Sequence, residues 1–383
     1  MQTFPISDYG AVPDGKNLNT LAIQKAIDAC HKAGGGVVLC GPGNYLTGTI
    51  KLRSNVQLHL ENGSRLIGSK DIADYEDCEC GFKSDNAPEK TCKSLIAAKD
   101  AENISITGFG EIHGEGLSFF DTSQSGSFFK KPSIPRPRLL TLYKCSNVRL
   151  KSISFHNSPC WTIWLRKCEE IHISGIRVYG DPRMINNDGI DLDCCRNVVV
   201  HSCIFQTADD CIAIRAMQSP FDEPGVCENI TVSNCILDSR CQGIRVGCPE
   251  DSVIRNLNFN NLVINSAANG IVLENPKRYF SGKKAQTASI YNLSFSQVTI
   301  NCQRAPIMVN VEEGIKLRKL ADLSFSDFKI TSGGPCLVEG NPDSIIRGVS
   351  FSNIALKTSA EDAIVCRWCE GVKFSNVEVT AIS

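Results

Sequence analysis

The sequence has no excess of either charge, no long apolar run and few histidines. Forty Lys and Arg stand against 41 Asp and Glu, a formal charge of −1. That sets a general nucleic-acid binder aside, because such proteins show a strong basic excess. No stretch approaches the roughly 18 apolar residues of a membrane span, so a soluble protein without a membrane partner is expected. The opening, MQTFPISDYG, lacks the charged-then-apolar layout of a secretion leader. A cytoplasmic location is the expectation, the alternative being a periplasmic or secreted protein whose leader is absent from this sequence. His59, His113, His156, His172 and His201 are spread along the chain at no ligand spacing. They read as structural or surface residues, and neither metal nor cofactor is expected. Asn-Gly, the strongest short hairpin signal, is nearly absent, which counts against a propeller of antiparallel strands.

What is present begins with apolar residues, 42% of 383. With 21% charged residues this fills a large core and excludes disorder. There are 20 cysteines. Most lie inside apolar runs, as Cys203, Cys211, Cys235, Cys336 and Cys366 do, and read as buried reduced thiols that act as small core residues. Cys366-Arg-Trp-Cys369 is a C-x-x-C with no second pair at zinc spacing.

Internal repetition carries the fold. A unit of the form apolar-x-apolar-x-polar-apolar-x-apolar starts at Val148, Val198, Ile230, Leu293, Leu323, Val349 and Val372, with looser copies at Val56, Ile104, Ile171 and Leu257. These are 11 units at spacings of 23 to 48 residues. Each reads as two period-2 strands with a corner at the polar position. A second series lies between them: Gly189-Ile-Asp-Leu-Asp, Cys211-Ile-Ala-Ile-Arg, Gly243-Ile-Arg-Val-Gly, Gly270-Ile-Val-Leu-Glu, Pro306-Ile-Met-Val-Asn, Pro335-Cys-Leu-Val-Glu and Ala363-Ile-Val-Cys-Arg. Three short strands per unit describe an all-β chain, a right-handed parallel β-helix or solenoid. Its N-terminal capping helix is expected over 19–33, where Ala22, Ile23, Ala26, Ile27 and Cys30 fall at helical spacing. No linker interrupts 1–383, so a single domain is expected, with regular coils over 140–383.

Aligning the second series places side chains. Ile190, Ile212, Ile244 and Ile271 point inward, so Asp188, Asp210, Gln242 and Asn269 stack on consecutive coils, with Asp209 above Asn187. Ala213, Arg245 and Val272 share one outward column with Asp191; Asp193, Arg215, Gly247 and Glu274 share the next. Coils repeat at about 4.8 Å, so Asp188, Asp209 and Asp210 are expected in one patch. Like charges that close raise at least one pKa, leaving an acid beside carboxylates near neutral pH. Glycosidic bond cleavage needs that combination. A calcium site or a solvated acidic edge is the alternative.

Asn186-Asn187-Asp188-Gly189-Ile190-Asp191 and Thr207-Ala208-Asp209-Asp210-Cys211-Ile212-Ala213 resemble the N-T-D-G-I-D and T-G-D-D-C-I-A signatures of glycoside hydrolase family 28, the polygalacturonases. Asp8-Tyr9-Gly10-Ala11, Asp14-Gly15, Asn19-Thr20 and Gly34-Gly35-Gly36 are similar to that family's opening. Arg136-Pro-Arg-Leu-Leu and Asn157-Ser-Pro-Cys-Trp161-Thr-Ile resemble its middle. The resemblance implies a pectic polysaccharide or oligosaccharide substrate, Asp209 as general acid, and Asp188 and Asp210 holding and deprotonating the attacking water, with inversion. Carboxyls one coil apart suggest retention by the separation rule, under which inverting pairs stand ~6.5–9.5 Å apart. The family inverts all the same.

Two motifs depart. Where the family carries G-H-G this chain has Cys241-Gln242-Gly243, and Val272-Leu273-Glu274 replaces the carboxylate-binding R-I-K. Asn187, Gln242, Arg215, Arg245 and Glu274 are the candidate substrate-binding residues. Arg215 and Arg245 either compensate for the lost cations or pair with Asp191, Asp193 and Glu274. The segment Lys277-Arg278-Tyr279-Phe280-Ser281-Gly282-Lys283-Lys284 is a basic, aromatic rim or a solvated loop. Trp161 and Trp164 either stack on a sugar or pack the core. The altered subsite points to a mixed pectin, such as a galacturonic acid–rhamnose linkage, over plain homogalacturonan. Stretches 70–94 and 118–137 are candidates for closing one end of a cleft. The rivals are a β-helix polysaccharide lyase, needing calcium and a basic residue such as Arg215 or Arg245, and a non-catalytic carbohydrate binder.

Overall fold

The computed structural model describes residues 2–123, 126, 128–130, 134–280 and 288–382. They fall into two compact units: the chain to Ile190 with Gln206–Ala208, and Asp191–Phe205 with the chain from Asp209 onwards.

In the first unit the helix spans Thr20–Lys32 and buries Ile23, Ala26, Ile27 and Cys30, the residues its periodicity selects. It packs on strands Thr3–Pro5 and Gly36–Cys40. Asn19 before it does not cap the helix with its side chain. Its Oδ1 accepts from the Val12 N–H at 2.6 Å and its Nδ2 donates to the Val12 carbonyl at 3.1 Å. After the helix, Gly35 has φ +118°, and a Cβ there would stand 2.6 Å from the Asn55 carbonyl, so the turn takes only glycine. Parallel strands then stack in order: Gly36–Cys40, Val56–Leu60, Glu102–Gly108, Ser146–Lys151, Glu169–Ser174. A second ladder joins Ile50–Lys51, Ser94–Lys99, Arg138–Tyr143 and Ile163–Arg166.

The second unit repeats the plan more regularly. Val226–Ser239, Val253–Ser266, Ser289–Cys302, Lys319–Ser332, Ile346–Thr358 and Lys373–Ala381 form one parallel ladder. Ile212–Arg215, Gln242–Val246, Asn269–Asn275, Ile307–Val311, Cys336–Glu339 and Ile364–Arg367 form another. The fold class is the right-handed parallel β-helix, all-β apart from one short helix.

The polar position inside each repeat is the corner. Ser152, Ser202, Asn234, Gln297, Asp327, Asn353 and Asn376 all have φ between 53° and 63°. That left-handed conformation is disfavoured for L-residues, and asparagine tolerates it best after glycine. Corner side chains bond from coil to coil: Asn261 Nδ2 donates to Asn234 Oδ1 at 2.7 Å, and Asn376 donates to Asn353 at 2.9 Å. Inside, Phe259, Phe295, Phe325, Phe351 and Phe374 stack with centroids 4.7 to 5.4 Å apart.

Two sequence expectations change, and one left open is decided. His113 and His156 are in register and stacked at 6.2 Å, with Tyr179 next at 5.3 Å, so these histidines do gather. Burial pushes both imidazoles below their usual range. Cys366 is exposed, because Ile364–Arg367 is the outermost strand of its ladder among the described residues. Trp164 is fully buried and Trp161 nearly so, and the Arg138 guanidinium lies over both rings, 4.4 and 5.0 Å from their centroids. They pack the core.

Candidate active site

The boundary between the units runs through both signature motifs: 186–190 and Thr207-Ala208 belong to the first unit, Asp191 and 209–213 to the second. In the first unit, Asn186 takes φ 59° and opens the turn that carries Asn187 and Asp188. Arg136, 5% exposed, holds that turn: its Nη2 donates to Asn186 Oδ1 at 3.1 Å and to Glu89 Oε2 at 3.0 Å. Its Nη1 donates to the carbonyls of Ile185 at 3.0 Å and Pro159 at 2.9 Å. Asn187 is 1% exposed; its Nδ2 donates to the Asp181 carbonyl at 3.0 Å and its Oδ1 accepts from the Ala208 N–H at 2.7 Å. A Cβ on Gly180 would stand 2.3 Å from Asn187 Nδ2, so a glycine admits this amide. Asn187, expected at the substrate, instead shapes the turn. Asp188 is buried, and its carbonyl accepts from the Thr162 N–H at 2.8 Å.

In the second unit, Asp209 and Asp210 stand at the entrance to strand Ile212–Arg215. Asp209 Oδ1 accepts from the Asp210 N–H at 3.1 Å, and the Asp209 carbonyl accepts from Ser239 Oγ at 2.7 Å. Ser239 Oγ also accepts from the Cys241 N–H at 2.8 Å, tying this corner to the next coil. One carboxylate oxygen from each aspartate and Cys241 Sγ lie within 4.8 Å of one another. Calcium takes six to eight oxygen ligands, and two carboxylates with a thiol do not provide them. Asp210 is 4% exposed. Burial first, and then the Asp209 charge, push its carboxyl up to about 7, against the pull of Arg245 and Arg215. The acid expected beside a carboxylate is therefore Asp210.

The register places Ile212, Ile244 and Ile271 in one column and Ala213, Arg245 and Val272 in the next, as the repeat implies. Gln242 stacks on Asn269, and its carbonyl accepts from the Cys211 N–H at 3.1 Å. Asp210 Oδ1, Gln242 Oε1 and Arg245 Nε are buried without a hydrogen-bond partner among the described residues. Buried polar atoms are rarely left so, and two on strand Gln242–Val246 with one just before strand Ile212–Arg215 mark a place prepared for a ligand.

The cations do not pair as the sequence suggests. Arg215 grips Asp251 with two bonds of 2.9 and 3.0 Å, and Asp251 is 1% exposed. Glu274 takes Arg278 at 3.0 Å. Neither Arg215 nor Arg245 bonds Asp191, Asp193 or Glu274. Arg278 and Arg245 lie over Tyr279, each 4.9 Å from its ring centroid, so 277–280 packs on the site as the rim. Positions 281–284 of that segment lie outside the described residues. Asp251 and Cys248 escaped sequence reasoning because they lie outside the strands, where no period marks them.

A parallel β-helix with adjacent carboxyls at a strand entrance is the setting in which the comparisons fall. Residues 77–312 match the model for glycosyl hydrolases family 28, and residues 4–62 match that for rhamnogalacturonase A/epimerase, pectate lyase-like. The first match covers more than half of the chain, which belongs to glycosyl hydrolases family 28. It is similar to a probable polygalacturonase of Vitis vinifera, 30% identical over 237 residues, 60% of this chain and 47% of that protein. The Yersinia enterocolitica family 28 exopolygalacturonase shares the fold with a TM-score of 0.76 at 21% identity, over 100% of this chain and 79% of that one. A Thermotoga maritima exopolygalacturonase gives 0.74 at 20% identity, over 98% and 92%. The chain spans 47%, 62% and 54% of the length of three plant relatives, about half.

Proposed function

We propose that this chain is an inverting glycoside hydrolase that cleaves a glycosidic bond in a pectic polysaccharide or oligosaccharide. The observation that carries the reading is the pair Asp209 and Asp210, with oxygens within 4.8 Å and one carboxyl pushed up to about 7. A pair so placed holds one proton between two groups near neutral pH, and acid–base cleavage requires one protonated and one ionised carboxyl. The one proton of the pair leaves through Asp209, the more exposed of the two, which protonates the leaving oxygen. Asp210, ionised as that proton passes to Asp209, takes one from the attacking water.

The substrate is a mixed or branched pectin, such as one with galacturonic acid–rhamnose linkages, ahead of plain homogalacturonan. The replaced motifs support this, since Gln242 carries no charge and Glu274 repels a carboxylate less only because Arg278 faces it.

The test combines Asp209→Asn with product analysis on defined pectic oligosaccharides. Turnover is expected to fall by about 10³-fold or more while binding of the oligosaccharide stays within a few-fold. Proton NMR during the first minutes should show the inverted anomer. A product absorbing in the ultraviolet would mean elimination by a lyase. Binding with no turnover by the wild type would mean a carbohydrate-binding solenoid. Rapid release of oligogalacturonates from unsubstituted polygalacturonate would overturn the substrate preference.

A further inference from the structure

Three arginines surround the paired carboxyls of the second unit, and they are not equivalent. Arg215 is neutralised by Asp251 in a two-bond pair, and Arg278 by Glu274. Arg245 has no carboxylate within ion-pair distance among the described residues. Its one acceptor is Cys248 Sγ, 3.1 Å from Nη2, and sulfur accepts weakly. Its Nε is buried with nothing to donate to. Yet Arg245 is only 8% exposed.

Burying an unmatched guanidinium is costly, and such a group persists where its partner comes from outside the chain. The surroundings define that partner. On the two neighbouring coils Arg245 is flanked by Ala213 and Val272, neither of which competes for its donors. Tyr279 covers one face of the guanidinium and fixes its plane. An arginine fork held in a plane, with donors to spare, suits a planar carboxylate in two-bond contact. Asp209, Asp210 and Glu274 make the neighbourhood acidic, which disfavours a dianion such as phosphate more than a single carboxylate.

We infer that Arg245 is the uronate anchor of this site, binding the carboxylate of a uronosyl residue next to the bond whose hydrolysis Asp209 and Asp210 serve. The inference rests on the hydrolase reading for the word "bond", but the anchor itself is a binding claim. It makes the substrate anionic on one side at least, and it places specificity on a residue of the same outward column as Val272, one coil earlier.

The test is calorimetric titration of full-length protein with a galacturonate trisaccharide and with its carboxyl-reduced counterpart. Arg245→Met should weaken the uronate by about 30-fold or more and change the reduced sugar by less than about 3-fold. Arg245→Lys should fall between, keeping charge but losing the fork. Cys248→Ala should leave uronate affinity within about 3-fold. Equal losses on both sugars, or no loss on the uronate, would overturn the anchor. If Arg245→Met does not fold by circular dichroism, Arg245→Lys carries the same comparison. A wild type that binds the uronate through Arg245 yet cleaves nothing refutes the hydrolase reading alone.

Discussion

At the scale of the residue, Asp210 links stability to pH. Its carboxyl ionises near 3.8 when unperturbed and is pushed up to about 7 in the fold, by burial first and by Asp209 second. Between about pH 4 and 7 the native chain therefore holds a proton that the unfolded chain has lost. Stability falls as pH rises through that window and is level above it. Asp210→Asn removes the charge, so it should resist urea better than the wild type at pH 8, with the difference shrinking towards pH 4. Urea midpoints at the two pH values decide this; a variant weaker than the wild type at pH 8 would refute it. In turn kcat/KM should fall as pH rises past a midpoint of about 7, because the pair then loses the one proton that acid–base cleavage needs. A rate that rises through that midpoint would refute the shared proton.

At the scale of the element, the corner asparagines join the ladders. Asn261 has φ 52° and donates to Asn234 Oδ1 at 2.7 Å. Asn261→Ala should destabilise by about 1–3 kcal/mol, adding left-handed strain to a lost hydrogen bond. Asn261→Gly should recover part of that by relieving the strain alone. Chemical denaturation of both variants separates the contributions, and equal losses would show that the conformation carries no strain.

These corners were legible in the sequence because in a solenoid the repeat is the register: matching Ile230 to Leu257 and Leu293 is the same act as pairing their strands. The columns Ile212, Ile244, Ile271 and Ala213, Arg245, Val272 followed for the same reason. Partners set by turns were not legible. Asp251 reaches Arg215 from an aperiodic segment, and Tyr279 reaches Arg245 from a 3-10 turn. The stacked pair His113 and His156 was hidden by the long excursion between their strands, which made neighbours look remote.

At the scale of the whole molecule, the cysteines test the core. None of the 20 is disulfide-bonded, and all but Cys241, Cys302, Cys366 and Cys369 are buried. Burial lifts many of these thiols, Cys40 and Cys336 to about 12, which suppresses the reactive thiolate. A thiol reagent should therefore titrate one to four groups in the native protein, Cys366 first, and all 20 in denaturant. A denatured count well below 20 would reveal disulfides and overturn the reading of these residues as reduced core fillers.

The phenyl column has an optical consequence. Phe259 to Phe374 form a regular row within the second unit, whereas the buried indoles, Trp161 and Trp164, belong to the first. Near-ultraviolet dichroism of coupled phenyl rings thus reports on one unit and indole fluorescence largely on the other. A single unlabelled sample, heated once, carries two separate gauges of how the chain melts.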